Sequence, residues 1–506
     1  MEFDKDLCSV QEVRNLISKA QSALEEYAEF SQERIDQIVK AVAEAGAANA
    51  EHLAKMAVEE TGFGVWQDKV LKNLLGSTIT YDYIKDMKTV GILREDPEKK
   101  LMEIAVPVGI IAALIPSTNP TSTVMYKTLI SLKAGNAIIL SPHPGAKNSI
   151  LETYKILSQA ARSAGAPAGL IQCISIPTPE ATNALLKDHR VGMILATGGE
   201  AMVHAAYSSG NPALGVGPGN GPSYIEKSAN IPLAVKHIFD SKTFDNGTIC
   251  ASEQSIVTEK CIKEQVIAEV KKQGGYFLSP EESEQVGRFI MRANGTMNPK
   301  IVGRSAQTIA EMAGITIPAG TRVLVSPQTT VGRDNPYSRE KLCPILGFYV
   351  EDNWESACKR CIEILRNEGV GHTMTIHSED QSVIREFALK KPVSRLLVNT
   401  IGSLGGVGAA TGLQPALTLG CGAVGGSATS DNVGPMNLIN IRRVAYGLRE
   451  LDEIRGTNPR PDCGCCTVSA PEEPRAGSSS TERKGASLSR EEIEAITKAV
   501  LARLSK

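Results

Sequence analysis

The sequence is poor in aromatic residues and carries almost no net charge. Of its 506 residues, 4% are Phe, Trp or Tyr, and 54 Lys and Arg stand against 56 Asp and Glu, which leaves a formal charge of −2. Proteins that bind nucleic acids combine basic surfaces with aromatic side chains on which bases stack. The composition therefore predicts no nucleic acid partner. Hydrophobic residues at 42%, with 45 Gly and 26 Pro, exclude disorder as the state of the whole chain.

Long apolar runs and a regular cysteine framework are also missing. The most apolar run, at 104–115, is interrupted by Pro107 and Gly109 and is too short to span a bilayer. The first residues, Met-Glu-Phe-Asp-Lys-Asp, are acidic where a secretory signal would be basic. Eleven cysteines are scattered from Cys8 to Cys466, unlike those of a small disulfide-bonded secreted domain. We therefore expect a soluble cytoplasmic protein with no membrane partner.

Strand and helix patterns alternate over most of the chain and predict an α/β fold. Residues 10–62 show helical spacing up to the break at Gly62-Phe63-Gly64. Beyond it, such alternation predicts mostly parallel sheets with helices on both faces. The predicted strands are 109–115, 137–140, 170–174, 191–195, 253–257, 321–325, 396–398 and 437–446, and a helix is predicted at 148–164.

The composition changes abruptly near the C-terminus. Between residues 456 and 487 the only large aliphatic or aromatic residue is Val468, so too little apolar surface is available to offset chain entropy, and we predict a linker. In 488–504, apolar residues recur at helical spacing behind a capping box of Ser489 and Glu492. Two interpretations of this helix stay open: an ordinary oligomer contact, or a tethered helix that docks on a partner protein.

The segment 241–255 is the most informative one for chemistry. Cys250 stands three residues after a glycine in a polar turn, where backbone amides can polarise its sulfur and stabilise an oxyanion. By itself this pattern does not separate a nucleophile from a cysteine that fills the core. A second candidate, Asn119, precedes Pro120 and has the alternative role of a plain turn residue.

The residues around Cys250 resemble those of a known family. Phe-Asp-Asn-Gly-Thr-Ile-Cys at 244–250 resembles the nucleophile segment of the aldehyde dehydrogenase superfamily, and Ala-Ser-Glu-Gln-Ser at 251–255 is similar to its coenzyme-A-acylating branch. Segments similar to other family motifs stand at 116–120 and 164–169, before Cys250, and at 340–344, after it, which is the order that the family has. The resemblance implies an aldehyde-dehydrogenase-like α/β fold, with two Rossmann-type parallel-sheet domains and a small β oligomerisation ribbon.

The resemblance also implies a reaction. Cys250 would attack an aldehyde, Asn119 and a backbone amide would stabilise the alkoxide, and hydride transfer to NAD would leave a thioester on the sulfur. Hydrolytic members carry a Glu that activates water, whereas 214–221 here is Leu-Gly-Val-Gly-Pro-Gly-Asn-Gly, without a carboxylate. Coenzyme A is thus the expected acceptor, and propionaldehyde or acetaldehyde the expected substrate. The alternatives are a hydrolytic aldehyde dehydrogenase that yields the free acid and a catalytically silent shell-associated scaffold.

The NAD site is predicted at strand ends and not at a glycine fingerprint. A literal Gly-x-Gly-x-x-Gly occurs at 420–425, but no helix pattern follows it, so we reject it as a dinucleotide motif. We expect the segment 402–434, rich in small residues, to line the substrate and acyl-carrier mouth instead. The predicted cofactor-binding residues are Ser141, Pro142, His143, Thr197, Gly198, Gly199, Gly217 and Glu340.

The predicted roles of these cofactor residues rest partly on the strand and helix pattern and partly on the family resemblance. The Thr197 segment ends a strand before a helical stretch, whose N-terminus can hold phosphate, although it has the alternative role of an ordinary strand–helix turn. By the resemblance, the Ser141 segment lies against the adenosine ribose and Glu340 holds the nicotinamide ribose. Ser141 and Pro144 stand where the family has Lys and Glu, which leaves both NAD and NADP open.

The resemblance divides the chain into segments. The expected ones are a cofactor domain at 1–220, interrupted by an oligomerisation strand near 99–106, a catalytic domain at 221–435, a second oligomerisation strand at 436–452, a disordered linker at 453–487 and an amphipathic targeting helix at 488–506. Similar enzymes of bacterial microcompartments carry such helices. We therefore expect a homodimer or homotetramer, a shell protein as partner and a location within a microcompartment. Cys358 and Cys361 are expected to pack in the core, and no metal site is predicted.

Overall fold

The computed structural model describes residues 4–292 and 294–456. The predicted targeting helix and the cysteines at 463–466 lie outside the described residues, as does the predicted linker except for 453–456. Contacts join the chain up to Tyr446 into one compact unit, and residues from Gly447 belong to a second unit. In that second unit a short helix, Leu451–Ile454, extends into the predicted linker, because the Glu453 side chain accepts a hydrogen bond from the Glu450 N–H.

The described part of the chain alternates between helices and strands after an all-helical beginning. The strands are β1 (Gly91–Asp96), β2 (Leu101–Pro107), β3 (Ile110–Ile115), β4 (Ala137–Pro142), β5 (Ile171–Cys173), β6 (Val191–Thr197), β7 (Ala213–Val216), β8 (Pro222–Ile225), β9 (Ser255–Glu259), β10 (Gly275–Phe277), β11 (Val323–Pro327), β12 (Ile345–Glu351), β13 (Gly371–His377), β14 (Val393–Val398) and β15 (Ile439–Ala445). The α-helices are α1 (Lys5–Tyr27), α2 (Gln32–Ala48), α3 (Ala50–Thr61), α4 (Trp66–Leu74), α5 (Thr80–Ile84), α6 (Pro120–Lys133), α7 (Lys147–Ser163), α8 (Pro179–Lys187), α9 (Glu200–Tyr207), α10 (Ile231–Thr243), α11 (Lys263–Lys272), α12 (Pro280–Ile290), α13 (Ala306–Ala313), α14 (Trp354–Asn367), α15 (Gln381–Lys390), α16 (Gly402–Gly406) and α17 (Leu451–Ile454).

Two parallel sheets form the body of the molecule. The first has five strands in the order β5-β4-β3-β6-β7, and the second has seven in the order β10-β11-β12-β9-β8-β13-β14. The central strand β3 is buried along its whole length, which explains its unbroken apolar sequence. The boundary predicted at residue 220 lies between β7 and β8, where the chain passes from one sheet to the other. The expected α/β fold with two parallel-sheet domains is confirmed.

A small antiparallel sheet, in the order β1-β2-β15, stands apart from the two large ones. Its strands β2 and β15 coincide with the segments predicted near 99–106 and 437–446. The edge strand β1 was not predicted, because most of its side chains are exposed and its apolar residues do not alternate strictly. The oligomerisation role of this ribbon stays a prediction.

The N-terminal helices pack beside the first sheet and extend further than the sequence pattern indicates. Helix α3 ends where expected, at Gly62, whose φ of 67° lies in the left-handed region. Helices α4 and α5 then follow, joined by a π-helical turn at Leu75–Ile79. Among the described residues, no helix has both the length and the apolar content that a membrane span requires.

Candidate active site

One cavity of about 720 Å³ lies between the two parallel sheets. It is reached from the carboxyl ends of β3, β4, β6 and β7 and from the loops that precede β9 and β12. The carboxyl ends of parallel strands are where open α/β sheets bind their ligands. Every residue predicted to act in catalysis or cofactor binding lines this cavity: Asn119, Ser141, Pro142, His143, Thr197, Gly198, Gly199, Gly217, Cys250 and Glu340.

The loop between α10 and β9 presents Cys250 to the cavity. Asp245 and Asn246 adopt left-handed backbone conformations with φ of 50° and 51°, and Gly247 follows at 78°. These unusual conformations make the tight turn that sets the thiol at the cavity wall. Burial, with a smaller contribution from the charge of Glu340 and against the opposite effect of Arg395, raises the pKa of the Cys250 thiol to about 12. In this state the thiol is protonated at neutral pH.

Asn119 lies on the same wall as Cys250, at the N-terminus of α6. Its side chain makes no capping hydrogen bond to that helix. Instead Nδ2 donates to the carbonyl oxygen of Thr248 at 3.0 Å, and Oδ1 accepts from Lys72 Nζ at 2.6 Å. The alternative role of a plain turn residue does not account for these contacts, which tie the amide to the nucleophile loop.

A buried ionic cluster lies behind these two residues and was missed by the sequence analysis. The Asp245 carboxylate receives hydrogen bonds from Lys69 and Lys72, and all three side chains are at most 3% exposed. Burial works to raise the pKa of Asp245, but the two lysines hold it below its usual value. A sequence signal existed, because two lysines spaced i, i+3 lie on one face of α4. Nothing in the sequence, however, indicates that Asp245, which is 173 residues from Lys72, is their partner.

The glycine-rich stretch 214–221 passes directly behind Cys250. A Cβ atom on Gly219 would lie 1.8 Å from the carbonyl oxygen of Cys250, so no side chain fits there. The residues of this stretch that line the cavity are Val216, Gly217 and Pro218. The stretch therefore supplies no carboxylate to the site, as its sequence indicates.

Glu340 is the carboxylate that does line the cavity. Its Oε1 accepts a hydrogen bond from Gly219 N at 2.8 Å, and its own N–H donates to Glu368. Burial, helped by the charge of Glu368, raises the pKa of Glu340 to about 8. Its predicted role as a ligand of the nicotinamide ribose stays a prediction.

The opposite side of the cavity has the features of a dinucleotide site. Thr197 to Gly199 link the end of β6 to α9, and a Cβ atom on Gly199 would meet nothing within 4 Å, so the backbone there is open to a ligand. Helix N-termini bind phosphate through free N–H groups. Ser141 and His143 lie at the end of β4, and burial lowers the pKa of His143. Among the described residues that line the cavity, none is Lys or Arg.

The literal glycine fingerprint lies elsewhere, as the sequence analysis expected. Residues 420–425 follow an isolated bridge between Leu419 and Asn432, and they lead only into a three-residue helical turn at Ala423–Gly425. The strand–turn–helix geometry of a dinucleotide fingerprint is therefore missing at this motif. The surrounding small-residue segment does line the cavity, through Val407, Leu417 and Leu419.

Several other residues singled out by sequence are part of the core. Cys358 and Cys361 are buried on α14 in an apolar cluster, and the described residues contain no group of three potential metal ligands. His372 is fully buried in β13, where its Nδ1 lies 3.0 Å from Thr373 Oγ1. Burial and the neighbouring Arg395 lower the pKa of His372 to about 3, so the ring is neutral.

Comparison with curated proteins finds long, significant similarities. The model of the aldehyde dehydrogenase family matches residues 4–328. The bifunctional aldehyde-alcohol dehydrogenase of Escherichia coli K12 is 44% identical over 442 residues, which are 86% of this chain and 50% of that protein. The acetylating succinate-semialdehyde dehydrogenase of Clostridium kluyveri is 39% identical over 87% of this chain and 96% of its own length. The chain thus spans about half the length of the first curated relatives it matches.

Solved structures agree with these similarities. A probable aldehyde dehydrogenase from Listeria monocytogenes is 65% identical, with a TM-score of 0.89 over 90% of this chain and 100% of that one. A Rhodopseudomonas palustris propionaldehyde dehydrogenase with bound propionyl-CoA is 28% identical, with a TM-score of 0.78 over 86% and 94% of the two chains. A propionaldehyde dehydrogenase from the fucose utilisation microcompartment of Clostridium phytofermentans is 26% identical, with a TM-score of 0.77 over 86% and 97%.

Proposed function

Because this chain belongs to the aldehyde dehydrogenase family, in its acetylating branch, we propose that it oxidises a small uncharged aldehyde with NAD and transfers the acyl group to coenzyme A. The observation that carries this proposal is the composition of the cavity wall. It combines a cysteine, an amide donor and two strand-end loops suited to a dinucleotide, while the stretch 214–221 offers no base for water.

The residues of this chain have distinct tasks in the proposed reaction. The Cys250 sulfur attacks the aldehyde carbonyl, and the thiol proton, which is in place at neutral pH because the pKa of the thiol is about 12, passes to solvent. Asn119 Nδ2 donates a hydrogen bond to the developing oxyanion. Bound NAD supplies the hydride acceptor. The resulting thioester on Cys250 is then open to the thiol of coenzyme A, which is a better nucleophile than an unactivated water.

Two features of the relatives support coenzyme A as the acceptor. The Clostridium kluyveri relative is named an acetylating enzyme, and the Rhodopseudomonas palustris enzyme holds propionyl-CoA. In this chain the close contact of Gly219 with Cys250 leaves no room for a carboxylate at that position. Both considerations favour thiol transfer over hydrolysis.

The cavity lining favours an uncharged aldehyde. Its lining includes the apolar side chains of Phe63, Leu417 and Leu419, and none of the described lining residues is Lys or Arg. A carboxylate or sulfonate on the substrate would lose its hydration without gaining a cation. A succinate semialdehyde, the substrate in the name of one relative, is therefore a poor fit, and acetaldehyde or propionaldehyde a good one.

The same shortage of cations favours NAD over NADP. The 2′-phosphate of NADP is recognised in α/β dinucleotide sites by an Arg or another cation close to the ribose. The one titratable residue that lines the described cavity wall at the end of β4 is His143, and burial lowers its pKa, which disfavours the charged ring. The ribose hydroxyls of NAD need no such charge.

Steady-state assays with and without coenzyme A test this function. We expect NADH formation from acetaldehyde and propionaldehyde, with kcat/KM at least about 100-fold above that for succinate semialdehyde, since an unpaired charge costs several kcal/mol on burial. Omitting coenzyme A should lower steady turnover by about 100-fold or more, the usual contribution of general base catalysis. A single turnover of NADH should remain, because acylation of Cys250 needs no acceptor.

A second candidate function, hydrolysis to the free acid, is favoured by one observation. Glu340 lines the same cavity as Cys250, and its pKa of about 8 suits a base near neutral pH. If Glu340 activated water, NADH formation would continue at the full rate without coenzyme A, and the Glu340→Gln variant would abolish that rate. This result would replace the acyl-transfer proposal.

We also propose that the protein acts as a homo-oligomer inside a bacterial microcompartment. The support is the linker composition, the helical apolar pattern at 488–504 and the microcompartment origin of the Clostridium phytofermentans enzyme. In that setting the helix would dock on a shell protein, and the ribbon that contains the exposed strand β15 would pair subunits.

Deletion of residues 487–506 tests the targeting part of this proposal. We expect kcat to stay within about twofold, because the described lining of the cavity comes from residues 63–419, while co-purification with shell proteins is lost. Two single variants provide a matched comparison. Leu501→Glu changes the apolar stripe of the predicted helix and should weaken shell association, whereas Lys498→Glu changes its polar side and should not. Equal partitioning of the full-length and truncated chains would contradict the proposal.

A further inference from the structure

The buried ionic cluster of Lys69, Lys72 and Asp245 leads directly to the proposed oxyanion donor. We propose that Lys72 is a positioning residue, which fixes the orientation of the Asn119 amide and of the Thr248 carbonyl and thereby aims an N–H of Asn119 at the reacting carbonyl. The contacts that carry this inference are those of Lys72 Nζ with Asn119 Oδ1 at 2.6 Å, Thr248 Oγ1 at 3.0 Å and Thr248 O at 3.2 Å. The inference rests on the proposed function for the role of Asn119.

The ammonium group of Lys72 determines which end of the Asn119 side chain faces the cluster. An ammonium has three donors and no acceptor, so only the amide oxygen can face it. The NH₂ group must then point the other way, where it donates to Thr248 O at 3.0 Å and to Thr118 Oγ1 at the longer distance of 3.3 Å. The N–H that makes the longer contact is the one a reacting carbonyl oxygen would take over from Thr118. The rotated amide would place NH₂ against the ammonium and leave an oxygen toward the substrate, which cannot stabilise an oxyanion. Lys72 therefore selects the productive orientation.

Three acceptor residues require a charged lysine. The Nζ hydrogens of Lys72 are shared among acceptor atoms of three residues, namely Asn119, Thr248 with two atoms, and Asp245, and a neutral amine has only two hydrogens to donate. Burial lowers the pKa of Lys72 to about 8, while the carboxylates of Asp245 and Asp68 act to raise it and Lys69 acts to lower it further. The side chain is thus charged at neutral pH because Asp245 is in place.

The same cluster also connects α4 to the nucleophile loop. Asp245 Oδ1 accepts a hydrogen bond from Val65 N at 2.8 Å, and Lys69 Nζ donates to Thr118 O at 2.9 Å. Thr118 directly precedes Asn119, and Thr248 lies two residues before Cys250. The ionic cluster therefore holds the backbone next to Asn119 and the backbone next to Cys250, the two residues proposed to act on the substrate.

A double-mutant cycle separates positioning from general support of the fold. The variants are Lys72→Met, Asn119→Ala and their combination, and the reaction is the burst of p-nitrophenolate from p-nitrophenyl acetate. In this burst the Cys250 sulfur forms a bond to the acetyl carbon, the ester C–O bond breaks, p-nitrophenolate leaves and the thiol proton passes to solvent. The probe needs neither NAD nor coenzyme A, and its oxyanion forms, as in the aldehyde reaction, on the carbon that the Cys250 sulfur attacks.

Loss of an oxyanion donor lowers a rate by about 10² to 10³, so Asn119→Ala should show a loss of that size. We expect Lys72→Met to lower the burst rate by about 10- to 100-fold without changing the affinity for NAD. In the Asn119→Ala background, Lys72→Met should cost less than about threefold, since both changes remove one interaction. Lys133→Met, which removes another buried lysine with an Asp partner, should leave the burst rate within about twofold.

Two outcomes with the variants overturn the inference, and two with the wild-type chain separate it from the proposed function. Additive losses in the cycle would show that Lys72 acts by supporting the fold, and an undiminished burst in Lys72→Met would show that Asn119 needs no help. A wild-type chain that gives the burst but no NADH from aldehydes would refute the proposed function alone. A wild-type chain without a burst would refute both.

Discussion

Replacement of Cys250 by alanine is expected to abolish aldehyde-dependent NADH formation, with a loss of at least about 10⁴-fold. Removal of a catalytic nucleophile costs 10⁴ to 10⁶ in hydrolases that form acyl-enzymes, because binding and the oxyanion hole alone give little rate. In this chain the hydride can leave only after the sulfur has added to the carbonyl, so no partial route bypasses the thiol. The measurement is NADH absorbance in a single turnover, combined with the mass of the acylated protein.

The matched control for this prediction is Cys261→Ala. Cys261 is exposed on the surface and lies outside the cavity, so its replacement should leave the rate within about twofold. Residual NADH formation in Cys250→Ala above about 1% of the wild-type rate would contradict the prediction. It would transfer the nucleophile role to another thiol. Cys421 would be the first to examine, because it is close enough for its charge to raise the pKa of Cys250.

The sequence placed the candidate residues around one cavity because most of them stand in short segments beside the ends of strands. Cys250 and its turn occupy one continuous segment, and Ser141 and Thr197 each end or follow a strand that an apolar run predicts. Parallel strands bring their carboxyl ends to one edge, so residues far apart in sequence meet without any specific contact being known. This geometric rule places Asn119, His143 and Thr197 around one cavity.

The ionic cluster behind the site could not be found in this way. Lys72 and Asp245 meet because α4 packs against a loop of the other sheet, and no periodic pattern encodes that meeting. In the sequence Lys72 resembles any helix surface lysine, whereas in the fold it is 2% exposed. A lysine becomes functional here through its burial, which is a property of the tertiary structure.

The edge strand β1 and the residues beyond α3 illustrate a different difficulty. Sequence periodicity detects elements with one strongly buried face, such as β3, and loses elements that are exposed on most sides. Strand β1 has no buried residue, and the π-helical turn at Leu75–Ile79 interrupts the helical period that would reveal α4 and α5 as one region. A search for periodic patterns therefore misses β1 because it lacks a buried face, and misses α4 and α5 because their helical period is interrupted.

Replacement of Asp245 by alanine is expected to lower the free energy of unfolding by about 3 to 5 kcal/mol, the cost of leaving a buried charge without its partner. Two lysines lose the same carboxylate, and neither can reach solvent, since both side chains are at most 3% exposed. Chemical denaturation followed by circular dichroism measures the change. Asp36→Ala is the control, because Asp36 pairs with the buried Lys133 but is itself 34% exposed, and we expect a smaller loss.

The pH dependence of this deficit distinguishes charge from lost packing. The folded pKa of Lys72, about 8, lies below its ordinary value of 10.5, so between these values the unfolded chain binds more protons and stability rises with pH. Asp245 acts to raise the pKa of Lys72 in the folded chain, so this pKa falls further in its absence. The pH range in which the unfolded chain binds more protons than the folded one then extends to lower pH. The deficit of Asp245→Ala should therefore shrink as pH rises from 7 to about 10. A deficit that stays constant over this range would attribute the loss to the missing side-chain volume and its hydrogen bonds, and the charge of Lys72 would no longer explain how the loop is held.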